Sequence, residues 1–466
     1  MFKGISAKFG ERIAIINSSG TKVTYNELEE FAIHLKSLIP KGSLIFSLCS
    51  NSFESLKGYF SFIRNGVTPL MLDASLDKEL LSKLISIYSP EYIWLPKERI
   101  VNFDDARILF SYGDYVLIKH ARENTYELHK DLALLLTTSG STGSPKLVKI
   151  TLKNLESNAY SIAEYLSIDK NERPITTLPM NYSFGLSIIN SHLIKGATIL
   201  LTSKSLMERD FWPFLKEQKA TSISGVPYTF EILKKLRFFR SDVPSLKTIT
   251  QAGGKLNNEL NKEVSEYCVR FDKKFFVMYG QTEATARMSY LPPEFSLAKL
   301  GSIGIAIPGG EFSIIDDSST SITGDEIVGE LVYKGSNVSM GYASCGEDLN
   351  KEDDNKGVLF TGDLAKRDKD NYYYIVGRKK RFIKIYGNRI NLDETERLLK
   401  DIISDCACIG EDDHMCVFIN DENRIDEIKK FISSKIGLHH STFKIRSIDE
   451  IPKNSSGKTI YSSLNI

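Results

Sequence analysis

No apolar run in this 466-residue chain is long enough to cross a bilayer, and the N-terminal stretch MFKGISAKFGERIAII has no signal-peptide core. Cysteine is sparse. Six thiols over this length cannot staple a disulfide scaffold, which fits a reducing cytoplasm. Excess charge of either sign is missing too: 60 Lys and Arg against 59 Asp and Glu leave a net charge of +1. Neither nucleic acid nor an anionic membrane is therefore expected as a partner. What remains is ordinary globular material, 42% hydrophobic and 26% charged, expected to be cytoplasmic. At this length the chain exceeds a single core and should divide into two or more domains.

Metal-ligand spacing is also lacking. Cys406, Cys408, His414 and Cys416 lie close in sequence. Their CxC and HxC spacings suit alternating positions on two neighbouring strands better than the C-x₂₋₄-C and H-x₃₋₅-H pairs of zinc sites.

What is present centres on Leu134–Ile150, LLLTTSGSTGSPKLVKI. An apolar run, a loop of small hydroxylic and glycine residues and a second apolar run read as strand, loop, strand. Gly140 and Gly143 can take positive φ and let backbone N–H groups converge on an anion. Thr138, Ser139, Ser141 and Thr142 add hydroxyl donors, and Lys146 adds a cation. That set suits a polyphosphate. A Walker A loop beginning at Gly140 fails, because Pro145 and Leu147 stand where glycine and Ser/Thr are required. A flexible hairpin loop is the plainer alternative.

Elsewhere, Thr24-x-x-Glu27 forms a capping box, and Leu28, Phe31, Ala32, Leu35 and Leu38 follow at helical spacing. Strand-like and helix-like segments then alternate, which argues for parallel α/β architecture. Residues Leu152 to Leu166 read as a helix after the loop. From Gly301 short alternating runs broken by glycine read as antiparallel β. Near the C-terminus the pattern predicts a helix after Asn391-x-x-Glu394, strands at Cys406–Ile409 and Met415–Ile419, a helix at Ile425–Ile436 and a strand near Phe443.

TTSGSTGSPK resembles the phosphate-binding loop of the adenylate-forming superfamily, which comprises acyl- and aryl-CoA synthetases, peptide-synthetase adenylation domains and firefly-type luciferases. Four further stretches match that family in order: Met278-Tyr279-Gly280-Gln281-Thr282-Glu283, Thr361-Gly362-Asp363, Gly377-Arg378, and Pro452 to Lys458 with its terminal Gly-Lys. The resemblance implies an α/β fold. A large N-terminal AMP-binding domain (1–380) of α/β subdomains plus a β-rich subdomain would precede a small mobile α+β lid (381–466).

It also implies roles. Residues Thr138 to Lys146, Gly143 included, would hold the β- and γ-phosphates of ATP. Tyr279 would stack on adenine, flanked by Gly280, Gln281, Gly253 and Gly254. Thr282 would donate to the α-phosphate and Glu283 would hold Mg²⁺. Asp363 and Arg378 would contact the ribose. Lys458 would bridge carboxylate and α-phosphate, so Lys458, Thr282 and Glu283 form the expected catalytic set. Lys380 occupies the hinge position, and the loop around Gly387 would enter the site for the thiol step. Tyr182, Phe184, Gly185 and Gly253 fall in the acid pocket. Amino-acid-activating members carry Phe-Asp where this chain has Phe184-Gly185, so an α-ammonium would lack its counter-ion.

The implied activity is ATP-dependent activation of a small-molecule carboxylic acid as the acyl-adenylate. Transfer to a thiol would follow, with CoA or a phosphopantetheinyl carrier protein as acceptor. Amino-acid adenylation with carrier-protein loading is the alternative, and a non-catalytic nucleotide-binding relative a more distant one.

Overall fold

The structure is a computed structural model that describes every residue except 104–105, 121–125, 138–145, 386–387, 401, 412, 437–438, 440–441, 454–458 and 466. At 102, 380, 382, 384, 388, 389 and 436 it describes the backbone alone. The chain divides into two compact units, Met1–Glu311 with Lys334–Leu359, and Phe312–Tyr333 with Phe360–Ile466. Among the described residues no helix is long and apolar enough to cross a membrane.

The first unit is built on an eight-stranded mixed sheet. Its centre is Leu44–Cys49, in which every residue is buried, as expected of a strand covered on both faces. Parallel neighbours Thr68–Asp73 and Tyr92–Pro96 flank it, and Leu132–Thr137 pairs parallel to Thr68–Asp73. Antiparallel strands close both edges, with Leu147–Thr151 and Tyr342–Ala343 on one side and Tyr115–Lys119 and Arg107–Tyr112 on the other. The predicted capping box opens the helix Tyr25–Lys36. Thr24 Oγ accepts from the Glu27 amide, and the Thr24 amide donates to Glu27 Oε2 at 2.6 Å. That helix buries Leu28, Phe31, Ala32 and Leu35, while Leu38 packs half-buried at the core's edge.

A second sheet in the same unit carries three parallel strands, Ser222–Gly225, Thr248–Gln251 and Lys274–Tyr279. Two short antiparallel strands, Ser289–Tyr290 and Ile305–Ala306, extend it. The β-rich texture after Gly301 is thus shared out. Ile305–Ala306 joins this sheet by pairing with the preceding strand Ser289–Tyr290, whereas Tyr342–Ala343 joins the eight-stranded one by pairing with the distant Leu147–Thr151.

Most residues of a four-stranded sheet, Gly310–Ile315, Gly329–Gly335, Val358–Arg367 and Tyr373–Arg378, belong to the second unit. The hairpin Phe382–Ile385/Asn388–Asn391 follows, then the helix Leu392–Leu399, strands Cys406–Glu411 and His414–Ile419, the helix Ile425–Ile436 and the strand Phe443–Ser447. The period-two pleat separates the cysteines. Cys406 and Cys408 sit in the core under the two helices, whereas Cys416 packs on the opposite face with Ala407, Phe418 and Ile451. Their close spacing therefore reflects two neighbouring strands.

Candidate active site

The two apolar runs around the hydroxylic loop form an antiparallel pair with Thr137 opposite Leu147. This fixes both ends of the loop one strand spacing apart. Thr138, Ser139, Gly140, Ser141, Thr142 and Gly143 lie outside the described residues. Lys146, at the loop's end, is exposed, and its Nζ lies 5.1 Å from the centroid of the Tyr342 ring. Tyr342 in turn donates its hydroxyl to Glu283 Oε1 at 2.6 Å. Burial, together with the Glu283 charge, raises the tyrosine pKa well above its ordinary value, so the hydroxyl keeps its proton and remains a donor. Lys146 and Glu283, far apart in sequence, thus meet on one aromatic side chain. Nothing in the sequence pattern singled out Tyr342: it lies on a two-residue edge strand whose pairing with Val148 is set by the tertiary fold.

Glu283 owes its position to a tight reversal. The strand Lys274–Tyr279 ends in Gly280 and extended Gln281, and one 3₁₀ turn spans Thr282–Ala284. Thr285 and Ala286 then take left-handed backbone conformations at φ 54° and 95°, an unfavourable pair that turns the chain back beside the strand. The Met288 amide donates to the Tyr279 carbonyl at 2.9 Å. Gly280 is required because a Cβ there would stand 1.7 Å from the Ala286 carbonyl oxygen. A buried asparagine clamps the reversal from outside: Asn337 Nδ2 donates to the carbonyls of Ala284 (2.8 Å) and Arg287 (2.9 Å). Thr282 shares a 3.2 Å hydroxyl contact with Ser183, in the first turn of the helix Ser183–Leu193. Tyr279 and Gln281 are half-buried, with the Gln281 amide 3.3 Å from the Tyr279 hydroxyl.

The expected acid-pocket residues come together at that helix start. Gly253 has φ 85°, and a Cβ on it would lie 2.8 Å from the Tyr182 hydroxyl. The Gly254 carbonyl accepts from Gln251 Nε2 at 2.8 Å. Tyr182 and Phe184 pack edge to face with ring centroids 6.3 Å apart, and burial pushes the Tyr182 hydroxyl up to about 12. A Cβ at Gly185 would meet the Pro179 carbonyl oxygen at 2.2 Å. This backbone therefore has no room for an aspartate there. Over Phe184 lies a group that the motifs did not reveal: the Arg287 guanidinium, 4.2 Å from the ring centroid and wholly buried.

In the second unit Asp363 and Arg378 face each other across an antiparallel pair, with Arg378 Nε 3.6 Å from Asp363 Oδ1. Asp363 is buried and Arg378 largely exposed. Gly377 admits the Asn391 side chain, which would lie 2.5 Å from a Cβ at that position. The backbone of Lys380 lies in the 3₁₀ turn Lys379–Arg381; its side chain, together with Gly387 and Lys458, lies outside the description. The chain on either side of Lys458 is held: Lys453 pairs with Thr459, the Ile460 amide donates to the Pro452 carbonyl at 2.8 Å, and Lys453 Nζ contacts Asp405 at 2.6 Å.

The carboxylate-bearing turn at Glu283 and the glycine-lined pocket at Gly253 both lie on the α/β body of the first unit. Residues 2–343 match the AMP-binding enzyme family, and the chain belongs to it. Among curated relatives, the 2-succinylbenzoate–CoA ligase of Bacillus velezensis is 26% identical over 482 residues, 98% of this chain and 95% of that protein. The oxalate–CoA ligase of Arabidopsis thaliana is 25% identical over 498 residues, 98% and 96% of the two chains. Among solved structures, the O-succinylbenzoate CoA synthetase of Bacillus subtilis in complex with AMP superposes with a TM-score of 0.80 at 23% identity, covering 99% and 97%.

Proposed function

We propose that this enzyme activates a carboxylic acid with ATP as the acyl-adenylate, releases pyrophosphate, and transfers the acyl group to CoA. The observation that carries the reading is the Lys146–Tyr342–Glu283 arrangement, which brings the cation beside the phosphate loop and the expected metal carboxylate to one side chain. The donor set fits the ion. Tyr342 uses one of the four or so acceptor positions of the Glu283 carboxylate and leaves hard oxygen for Mg²⁺. When bound, Mg²⁺ would supply charge neutralisation at the leaving pyrophosphate.

The chain's own residues then position and neutralise, which is most of what attack of a carboxylate on phosphorus requires. Thr138 to Lys146 would cradle the β- and γ-phosphates, and Thr282 would donate to the α-phosphate. Tyr279 would stack on adenine, with Gly280, Gln281, Gly253 and Gly254 around it. Asp363 would accept from the ribose hydroxyls beside Arg378. Lys458 would offset the repulsion where carboxylate and phosphate oxygens converge. For the thiol step we assign Lys380 as hinge, Gly387 to the incoming loop and residues 381–466 as the moving lid.

CoA is placed ahead of a carrier protein because the relatives described above are named as CoA ligases. An α-amino acid is disfavoured twice. Gly185 cannot give way to the missing aspartate without moving backbone, and the Arg287 cation borders the same pocket. Lys458→Ala separates the half-reactions. Adenylation should be lost while transfer from a supplied acyl-adenylate to CoA survives; equal loss of both would contradict the assignment of Lys458.

A further inference from the structure

Among the described residues, Arg287 is buried without an anion. Its Nη1 donates to the Tyr165 hydroxyl at 3.1 Å and also contacts the Met278 sulfur, and its Nε has no partner. Burial pulls its pKa down, and the groups that oppose the shift are the hydroxyls of Tyr165 and Tyr182, with no carboxylate among the described residues. The contrast lies within the same chain: Arg381, also largely buried, is matched by Asp393 at 2.5 Å and Glu396 at 2.6 Å. A buried cation with no counter-charge carries a large desolvation penalty, which the fold offsets at Arg381 and leaves standing at Arg287.

Arg287 borders a space of mixed character. It forms one wall of a cavity shared with Ser191, Ser222, Ser224, Thr248 and Thr250, between the helix Ser183–Leu193 and the parallel strands of the second sheet. Ile162, Leu166, Ile168 and Ile188 line the rest of it, so hydroxyl and aliphatic groups share the wall. His192 on the same cavity is neutral near pH 7, since burial brings its pKa down to about 4. Glu172, also on it, is engaged by the Thr221 hydroxyl and lies 3.6 Å from Lys247. Among the described residues Arg287 is therefore the charge on this cavity that lacks an opposite partner, and it lies against Phe184 and acts on Tyr182 of the expected acid pocket.

We propose that Arg287 makes the enzyme selective for a short dicarboxylic acid, whose second carboxylate pairs with the guanidinium while the first reacts at the Gly253–Tyr182 end. The proposal rests on the adenylation reading and names its substrate class. It is tested by acid-dependent ATP–pyrophosphate exchange with matched probes: succinate and glutarate against butyrate, valerate and succinamic acid, within a wider set of aliphatic and aromatic monoacids. In the wild-type protein kcat/KM for the diacids should exceed that for the neutral-tailed partners by about 30-fold or more. Arg287→Met should erase that gap mainly through the KM of the acid, with the KM of ATP unchanged, and Arg287→Lys should restore part of it. Equal or better exchange with neutral-tailed acids would overturn the inference and leave adenylation standing, and the wild-type comparison decides this even if a variant misfolds. Uniform loss over both series in Arg287→Met would assign Arg287 a structural role and also overturn it. Silence with every acid would remove the inference together with the adenylation reading.

Discussion

At the scale of single residues, the site depends on close approaches that only particular side chains allow. Gly280 is the sharpest case, with its missing Cβ 1.7 Å from the Ala286 carbonyl oxygen. Gly280→Ala must displace the turn that holds Thr282 and Glu283, and a displacement of about 1 Å can cost about 100-fold in rate. Exchange assays should show that loss, with melting curves distinguishing a misplaced turn from an unfolded chain. Tyr342 acts through Glu283 and is a positioning residue. Removing its hydroxyl in Tyr342→Phe should raise the Mg²⁺ concentration needed for half-maximal exchange by about tenfold, with the melting temperature nearly unchanged. An unaltered Mg²⁺ dependence would mean that the 2.6 Å contact does not orient the carboxylate. Glu283 was legible in the sequence because YGQTE is a contiguous motif. Tyr342, Asn337 and Arg287 were not, because their partners come from distant strands and no spacing within the sequence encodes those contacts.

At the scale of elements, legibility followed the strength of local signals. The hairpin flanking the hydroxylic loop and the helix Leu152–Tyr165 emerged where apolar periodicity and capping residues agreed. The same holds for the strands and helices from Leu392 to Ser447, whose alternation reflects cores on both faces of a three-stranded sheet. Segments as short as Ile305–Ala306 and Tyr342–Ala343 carry no period of their own and take their place from neighbouring strands. One joint between elements is testable. Asn391 accepts from the amides of Asp393 (3.0 Å) and Glu394 (3.2 Å) at the start of the helix Leu392–Leu399, and donates to the Val376 carbonyl at 3.0 Å. Asn391→Ala removes the cap and the tie to the strand bearing Arg378. It should cost about 1–2 kcal/mol in denaturant unfolding, in the upper part of the range for helix caps. A change within a few tenths would show that the cap is not coupled to the strand.

At the scale of the molecule, stability should carry the mark of a buried neutral histidine. Burial is the main cause that brings His192 from 6.5 to about 4; a hydrogen bond to the Ile188 carbonyl opposes the shift and the nearby Arg287 adds to it. Because the folded pKa is depressed, the unfolded chain binds the proton first. Stability is full above pH 6.5 and falls as pH drops toward 4. The shift corresponds to about 3 kcal/mol over that window. Urea midpoints compared with His192→Gln should show the excess loss in the wild-type protein alone; parallel curves would contradict it.

This AMP-binding enzyme should form the acyl-adenylate of a carboxylic acid that is not an α-amino acid. The most direct measurement is incorporation of labelled pyrophosphate into ATP by the purified protein, with and without a panel of carboxylic and amino acids. Exchange should require Mg²⁺ and a carboxylic acid without an α-amino group, be absent with α-amino acids, and disappear in Lys458→Ala. Exchange driven by α-amino acids, or by no acid of any kind while ATP still binds, would contradict it.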